Sequence, residues 1–242
     1  MVHYPSEKPL KAVLFDLDGT LLDVEMAEFI PAYVQGLASH FTDLAEPDRF
    51  ADTVLAATFA LIRDDRVRAS NEALFLEAMH SRLGIEAVEF GRRLDAFVED
   101  GLGRLATMVR ALPAARDILQ LCFDRELTVV IATNPVFPRP VIDARLQWGD
   151  LHDFDYSLVT SYENTRLCKP HPGYFHDILT QFDLDPEQCL MVGNDTEHDL
   201  AAAQVGIPTF LVETWMIDRL DGAFQSDMRG DHDGLLEFLQ KV

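Results

Sequence analysis

The chain has 242 residues, of which 48% are hydrophobic and 25% charged, a composition typical of a folded globular protein rather than a disordered one. Acidic residues outnumber basic ones by 41 to 20, and this net charge of −21 argues against nucleic acid and anionic membranes as partners. No apolar run approaches the roughly 18 residues of a membrane span, and the first residues do not resemble a secretion signal.

Short, nearly continuous apolar segments predict strands that are buried on both faces, as in a parallel sheet. The first is predicted at residues 11–15 (KAVLF), and the others at 127–132, 156–160, 188–192 and 208–212. Helical patterns follow the same alternation, at 114–124, 138–147, 172–182, 197–205 and 233–241. Alternating strands and helices predict an α/β fold, with a doubly wound, mostly parallel, Rossmann-like sheet.

Residues 24–111 interrupt this alternation. The segment is rich in Ala and Leu, its apolar residues recur every three or four positions, and it contains no recognisable strand. We therefore expect an all-helical domain of about four helices. The predicted division is an α/β core of residues 1–23 and 112–242 with a helical insert of residues 24–111.

The cysteine content argues against a disulfide-stabilised or zinc-binding fold. Cys122, Cys168 and Cys189 are odd in number, widely spaced and not part of any CxxC pair. We interpret them as reduced thiols, which predicts a cytoplasmic protein.

Four loops that follow predicted strands carry polar residues, and the first contains a pair of aspartates. In KAVLFDLDGTLLD, Asp16 and Asp18 come directly after the strand at 11–15 and are followed by Gly19 and Thr20. Two neighbouring carboxylates in an apolar setting require a cation or a proton between them. Such a pair divides the work of catalysis, because an ionised aspartate attacks while a neighbour with a raised pKa transfers a proton.

The second and third loops offer groups that bind phosphate. Thr133 and Asn134 follow the strand at 127–132, where a hydroxyl and backbone N–H groups would hold a phosphoryl oxygen. Lys169, followed by Pro170, is the one interior lysine among the four in the chain, which favours a fixed positive charge. Taken alone, each loop is also consistent with an ordinary turn or a solvated lysine.

The fourth loop contains Asn194, Asp195 and Asp199, after a predicted strand that ends near Gly193. Oxygen ligands concentrated at one place suit Mg2+. The same residues would also cap a helix that begins there.

In their order and spacing, the four loops resemble the motifs of the haloacid dehalogenase-like (HAD) superfamily. FDLDGTLL resembles the first motif, Thr133 the second, Lys169 in CKPHPGYF the third and GNDTEHD the fourth. The helical cap of that family is inserted just after its first motif, where residues 24–111 lie, so the resemblance covers the whole chain.

The resemblance implies a role for each residue. Asp16 would be the nucleophile that forms an aspartyl-phosphate, and Asp18 would be the general acid and base. Thr133 and Asn134 would bind the substrate phosphate, and Lys169 would bind it too while neutralising charge on the nucleophile. The cofactor Mg2+ would be held by Asp16, by the backbone carbonyl of Asp18 and by a side chain of the fourth motif.

The fourth motif departs from the simplest family pattern. Asn194 stands directly after Gly193, where the family usually has its metal-binding Asp, and Asp195 comes one residue later. Either side chain would serve as the metal ligand, and Asp195 is slightly favoured because it is charged and precedes Asp199 by four residues. Asp199 would then hold Lys169 or a water beside the metal.

Within the family, an aspartate at the position of Asp18 favours ester hydrolysis, because haloacid dehalogenases lack it and transport ATPases carry Thr there. The resemblance therefore implies a Mg2+-dependent phosphatase, monomeric or homodimeric, that acts on a small phosphorylated metabolite. A phosphomutase and a non-catalytic scaffold are the alternatives. In the cap, Glu25, Phe29, Arg63 and Arg66 are candidates for reaching the substrate, although each also suits an ordinary helical position.

Overall fold

The computed structural model describes residues 4–64, 69–219 and 224–242. Within these ranges the strands are β1 (Ala12–Phe15), β2 (Leu22–Val24), β3 (Val109–Ala111), β4 (Thr128–Ile131), β5 (Leu158–Val159), β6 (Cys189–Gly193), β7 (Thr209–Val212) and β8 (Met228–Gly230). Six of them form one sheet in the order β5-β4-β1-β6-β7-β8, in which every neighbouring pair is parallel. Strands β2 and β3 form a separate antiparallel pair.

Helices cover the sheet and form the inserted segment. They are α1 (Met26–Ala38), α2 (Pro47–Arg63), α3 (Asn71–Leu83), α4 (Ala87–Asp100), α5 (Pro113–Asp124), α6 (Arg139–Trp148), α7 (Pro172–Gln181) and α8 (His232–Leu239). Short 3-10 helices span Leu102–Met108, Pro186–Gln188 and Leu200–Val205. Helices α2, α5, α6 and α7 have a proline in their first turn, where the missing N–H has no partner to lose.

The sheet is buried on both faces, which explains the continuous apolar runs in its strands. Along β1, Val13 and Phe15 belong to one apolar cluster while Ala12 and Leu14 belong to another. All four side chains are inaccessible to solvent. Successive side chains of a strand point to opposite faces, so each face packs against its own layer of helices. The predicted α/β fold with a parallel sheet and an inserted helical segment is confirmed.

The structure differs from the sequence-based prediction in its shortest elements. Strand β8, which has only one fully buried residue, was not predicted. The expectation that residues 24–111 contain no strand is wrong at both ends, where Val24 closes β2 and residues 109–111 form β3. Strands of three residues are too short to show an alternating pattern in the sequence. Here the strands are defined only by the hydrogen-bonded pairing of β2 with β3. The helix predicted at 197–205 is a 3-10 helix over Leu200–Val205.

The inserted helices enclose an aromatic core of their own. The ring of Phe41, in the loop after α1, stacks on Phe50 of α2 at 4.5 Å between centroids and lies 5.4 Å from Phe90 of α4. On the other side, Phe29 and Tyr33 of α1 contact Phe137 in the loop after β4, at 6.2 and 5.2 Å. The insert therefore packs on itself and also against the loops at one edge of the sheet.

The register of the sheet brings the chemically important loops together. Phe15 at the end of β1 lies opposite Ile131 of β4 and Val192 of β6. Because parallel strands end at the same edge, the residues that follow these three strands must be neighbours.

Two further observations concern the cysteines and the helices of the described residues. The cysteines, all within the described ranges, are buried and form no disulfide. Of the helices that the structure describes, none has the length and apolar character needed to cross a membrane.

We expect the change Phe41→Ala to lower the free energy of unfolding by about 3–5 kcal/mol, because it removes the centre of the aromatic core of the insert. Leu44→Ala in the same loop is the matched control, since Leu44 is 44% exposed. The control should change stability by less than about 0.5 kcal/mol. Equal effects of the two substitutions in chemical denaturation would contradict this description of the insert.

Candidate active site

Residues of all four predicted motifs meet at the carboxyl edge of the sheet. Asp16 follows β1, Thr133 follows β4 and Asn194 follows β6, while Lys169 comes from the loop that precedes α7. All four side chains are buried, although each is polar or charged. Burial of such groups is costly unless they satisfy one another.

Lys169 lies between two carboxylates. Its Nζ donates to Asp16 Oδ1 at 2.7 Å and to Asp199 Oδ1 at 2.6 Å. Burial lowers the pKa of Lys169, but the Asp16 and Asp199 carboxylates raise it by more, so the ammonium stays charged. The side chains of Lys169 and Asp199 are each only 1% exposed, so this is a buried charge cluster.

Asp199 is fixed by the backbone as well as by the lysine. Its Oδ2 accepts a hydrogen bond from the Asp195 N–H at 2.9 Å. A Cβ at Gly193 would lie 2.1 Å from that same oxygen, so only glycine lets the carboxylate approach β6 this closely. Burial raises the pKa of Asp199 to about 7, and Lys169 acts in the opposite direction.

The second oxygen of Asp16 faces Asn194. The Thr20 hydroxyl donates to Asp16 Oδ2 at 3.3 Å and lies 3.4 Å from Asn194 Oδ1. The Asn194 amide donates to the Trp215 carbonyl at 2.7 Å, and its Oδ1 lies beside the Thr20 hydroxyl. Gly19 has a φ of +82°, and a Cβ there would lie 2.3 Å from Asn194 Nδ2, so glycine is required for this close approach.

Asp195 has other partners. Its Oδ1 accepts hydrogen bonds from the backbone N–H groups of Glu197 at 3.0 Å and His198 at 2.9 Å, as a capping residue does. Its Oδ2 accepts from Arg219 Nε at 2.5 Å. Burial raises the pKa of Asp195, but His198 and Arg219 lower it by more, so the carboxylate is ionised and paired.

Asp18 is paired with a second buried cation that the sequence analysis missed. Arg145 of α6 donates from Nη1 to Asp18 Oδ2, and its side chain is inaccessible to solvent. The guanidinium lies over the rings of Phe137 and Phe29, 4.5 and 5.6 Å from their centroids. Asp18 Oδ1 and the Nε and Nη2 atoms of Arg145 are buried without a hydrogen-bond partner. Burial raises the pKa of Asp18, Arg145 opposes this, and the Asp16 charge adds to it.

A sequence signal for Arg145 existed. Arg145 lies four residues after Val141 and three after Ile142, which both face the core of the protein. Side chains at these spacings share one face of a helix, so Arg145 had to be buried with them. For Arg219 we find no comparable signal, because its pairing with Asp195 spans 24 residues of loop and strand.

Thr133 and Asn134 line the site beside Lys169. The Thr133 carbonyl accepts hydrogen bonds from the Thr160 hydroxyl at 2.8 Å and the Tyr174 hydroxyl at 3.1 Å, which fixes the loop. Asn134 Nδ2 donates to the Lys169 carbonyl at 3.3 Å. Asn134 Oδ1 is buried and has no hydrogen-bond partner.

A cavity of about 680 Å³ connects these groups to the inserted helices. Among the predicted site residues, those that line it are Asp16, Asp18, Thr133, Asn134, Lys169, Asn194, Asp195 and Asp199. A volume of this size suits a small organic ligand. The structure therefore brings all the predicted site residues to one cavity.

The four cap residues singled out from the sequence have different positions. Arg63 lines the cavity. Phe29 is buried against Arg145 and Phe137. Glu25 caps α1 by accepting a hydrogen bond from a backbone N–H. Arg66 lies outside the described residues.

The side-chain oxygen atoms of Asp16 and Asn194 suit a hard cation as a bound ion. Within residues 4–64, 69–219 and 224–242 there is no cluster of three or more His, Cys, Asp or Glu side chains arranged for a metal. Asp16 Oδ2 and Asn194 Oδ1 nevertheless lie 3.3 and 3.4 Å from the same Thr20 hydroxyl oxygen. Both are oxygen atoms, which are harder ligands than nitrogen or sulfur. Such an oxygen pair suits Mg2+ with water and substrate as its other ligands, and does not suit Zn2+.

Comparisons with known proteins identify a matching family and similar enzymes. Residues 10–206 match the family model described as haloacid dehalogenase-like hydrolase. The chain is 28% identical over 205 residues to the glyceraldehyde 3-phosphate phosphatase of Pyrococcus furiosus, covering 83% of this chain and 79% of that protein. It is 27% identical over 201 residues to the phosphoglycolate phosphatase of Photorhabdus laumondii, with the same coverage of 83% and 79%.

The fold is also similar to solved structures. The crystal structure of a HAD phosphatase from Thermococcus onnurineus superposes with a TM-score of 0.60 at 20% identity. The match covers 95% of this chain and 98% of that one, so both the sheet and the inserted helices have counterparts.

We expect Arg145 and Asp18 to be strongly coupled in stability. Arg145→Met leaves the Asp18 carboxylate buried without a cation, which should lower the free energy of unfolding by about 3–5 kcal/mol. In a double-mutant cycle with Asp18→Asn, the second substitution should recover part of that loss, with a coupling energy above about 1 kcal/mol. Additivity of the two substitutions within about 0.5 kcal/mol would show that the contact contributes nothing to stability.

Proposed function

The chain belongs to the haloacid dehalogenase-like hydrolase family, and on this premise we propose that it is a Mg2+-dependent phosphatase with Asp16 as its nucleophile. The observation that carries the proposal is the buried Lys169 ammonium on Asp16 Oδ1, at the base of a cavity that Thr133 and Asn134 also line. A carboxylate and a phosphate dianion repel each other, so an attack of one on the other requires fixed positive charge at this position.

In the proposed reaction an oxygen of Asp16 attacks the phosphorus of a phosphomonoester. The bond from phosphorus to the ester oxygen breaks, and the phosphoryl group is left on Asp16 as an acyl phosphate. Thr133, Asn134 and Lys169 would bind the phosphoryl oxygens during this transfer. Water then attacks the phosphorus, which releases inorganic phosphate and restores the Asp16 carboxylate.

Asp18 is proposed as the group that moves the proton. It would protonate the leaving alcohol oxygen in the first step and accept a proton from the attacking water in the second. Its Oδ2 is held by Arg145, and its Oδ1 has no hydrogen-bond partner within the protein. We propose that Arg145 positions Asp18 through this contact.

The proposed ligands of Mg2+ are Asp16 Oδ2, the backbone carbonyl of Asp18 and Asn194 Oδ1. When bound, the ion would supply positive charge beside the transferring phosphoryl group. Asn194 is proposed over Asp195, although the sequence slightly favoured the carboxylate. The reason is that Asp195 already binds two backbone N–H groups and Arg219, whereas Asn194 Oδ1 lies beside the same Thr20 hydroxyl as Asp16 Oδ2.

The substrate is proposed to be a small phosphorylated metabolite. The two similar proteins from Pyrococcus furiosus and Photorhabdus laumondii are named as phosphatases of such compounds, which supports the substrate class but does not identify the compound. In this proposal residues 1–23 and 112–242 form the catalytic domain. Residues 24–111 form a cap that completes the cavity and limits the access of water.

We expect Asp16→Asn to lower turnover of a phosphomonoester by at least roughly 10,000-fold, because the amide cannot act as the nucleophile. Asp23→Asn is the control, since Asp23 on β2 is paired with Arg110 at 3.3 Å and does not line the cavity. Phosphate release is the measurement, with circular dichroism to establish that both variants are folded. Wild-type turnover in Asp16→Asn would exclude the proposed nucleophile.

We expect the metal affinity to respond to Asn194 and not to Asp195. Asn194→Asp should tighten Mg2+ binding by roughly tenfold, because it places a full charge on a proposed ligand. Asp195→Asn should leave the Mg2+ affinity within about twofold of the wild type, because the Asp195 carboxylate is already paired with Arg219 and is not a proposed ligand. Calorimetric Mg2+ titration of the proteins without substrate measures both values. A large loss in Asp195→Asn with no change in Asn194→Asp would reverse the assignment.

A further inference from the structure

The cavity has two chemically different ends. Its sheet end carries the charged and polar groups described above. Its cap end is formed by helices α1 to α4, and most of the side chains that line it there are apolar, among them Ile30, Leu55 and Phe59. Among the described residues of these helices, the lining has polar groups at Tyr33, Thr58 and Arg63 and has no acidic side chain.

This composition contrasts with the rest of the protein. The chain has twice as many acidic residues as basic ones, 41 against 20. Solubility favours charged side chains at positions that contact water. It therefore does not explain the apolar lining at the cap end of this cavity. Apolar residues that line a cavity beside a reactive group are typical of a binding site.

Several of these apolar side chains are only partly covered by the protein itself. Phe59 on α2 is 54% exposed, and Ile217, which also lines the cavity, is 41% exposed. Ile30 and Leu55 pack on the core with one side and retain partial exposure on the other. Contact with water at these positions costs free energy that an apolar ligand would recover.

We propose that the substrate is a phosphomonoester whose alcohol part is an uncharged, apolar group, aromatic or aliphatic. This inference rests on the proposed phosphatase function. With the phosphate held beside Asp16 and Lys169, the alcohol part of the ester would extend toward α1 and α2, whose apolar side chains line the same cavity. There it meets the apolar side chains of Ile30, Leu55 and Phe59.

The same lining disfavours small polar esters. A carboxylate or several hydroxyl groups placed against Ile30, Leu55 and Phe59 would lose hydration without gaining hydrogen-bond partners from these three side chains. Arg63 stands at the exposed end of α2, so its charge is well solvated. Within the class of small phosphorylated metabolites, the inferred alcohol part therefore differs from those of phosphoglycolate and glyceraldehyde phosphate, although proteins similar to this one are named for those compounds.

A homologous series of alkyl phosphates tests the inference directly. Ethyl, butyl and hexyl phosphate share the same reacting group and differ only in the apolar chain. Each buried methylene should raise kcat/KM about three- to fourfold, so hexyl phosphate should exceed ethyl phosphate on the order of 100-fold. Phosphoglycolate should be hydrolysed less efficiently than butyl phosphate.

A pair of matched variants locates the effect in the cavity. Leu55→Asn places an amide in the apolar lining, and we expect it to lower the ratio of kcat/KM for hexyl phosphate to that for ethyl phosphate about tenfold. Leu44→Asn makes the same change at a residue that is 44% exposed and does not line the cavity. It should affect neither substrate.

The possible outcomes separate this inference from the function on which it rests. Hydrolysis of all three esters with no increase along the series would overturn the apolar substrate and leave the phosphatase in place. That result would mean that the apolar side chains of the lining contact one another and do not bind the alkyl chain of the ester. Absence of hydrolysis for every ester, with the protein folded and Mg2+ present, would overturn the phosphatase and the substrate class together. Equal losses in the Leu55 and Leu44 variants would also contradict the inference.

Discussion

The buried ammonium of Lys169, held between the carboxylates of Asp16 and Asp199, is the interaction on which the rest of the site depends. Three ionisable groups lie together here, and their side chains are only 1% (Lys169 and Asp199) and 12% (Asp16) exposed. Any one of them alone would be too costly to bury. Their contacts also join three separate loops, those after β1 and β6 and the one before α7, so the charge cluster fixes the geometry of the site.

A second buried ion pair gives the two aspartates of the first loop different surroundings. Asp16 faces Lys169, while Asp18, two residues later, faces Arg145 from α6. Each carboxylate therefore has its own cation, and the two cations belong to different parts of the core domain. In the proposed mechanism this separation gives the two carboxyl groups different roles, with Asp16 attacking and Asp18 transferring a proton. Phe29 of the insert lies against the Arg145 guanidinium, so the insert contacts the residue that pairs with Asp18.

The sequence predicted what depends on local patterns. Strands β1, β4, β6 and β7 are continuous apolar runs, and the residues that follow parallel strands necessarily share one edge, so the site could be assembled without coordinates. Pairings between distant residues could not be predicted. The choice between Asn194 and Asp195 is an example. Charge favours Asp195 as a metal ligand, but the structure places Arg219 on it, and nothing near Asp195 in the sequence indicates that contact. The β2–β3 ribbon was missed for a similar reason, since pairing alone defines its three-residue strands.

The central claim, that catalysis proceeds through a phosphoryl group on Asp16, is tested most directly by trapping the intermediate. Wild-type protein is quenched in acid during turnover of a phosphomonoester, reduced with borohydride and digested for peptide mass spectrometry. Borohydride reduces an acyl phosphate but not a free carboxylate, so the account predicts conversion of Asp16 to homoserine, in a fraction that depends on the presence of substrate. Unmodified Asp16 under conditions where phosphate is being released, or homoserine at another aspartate, would contradict the account.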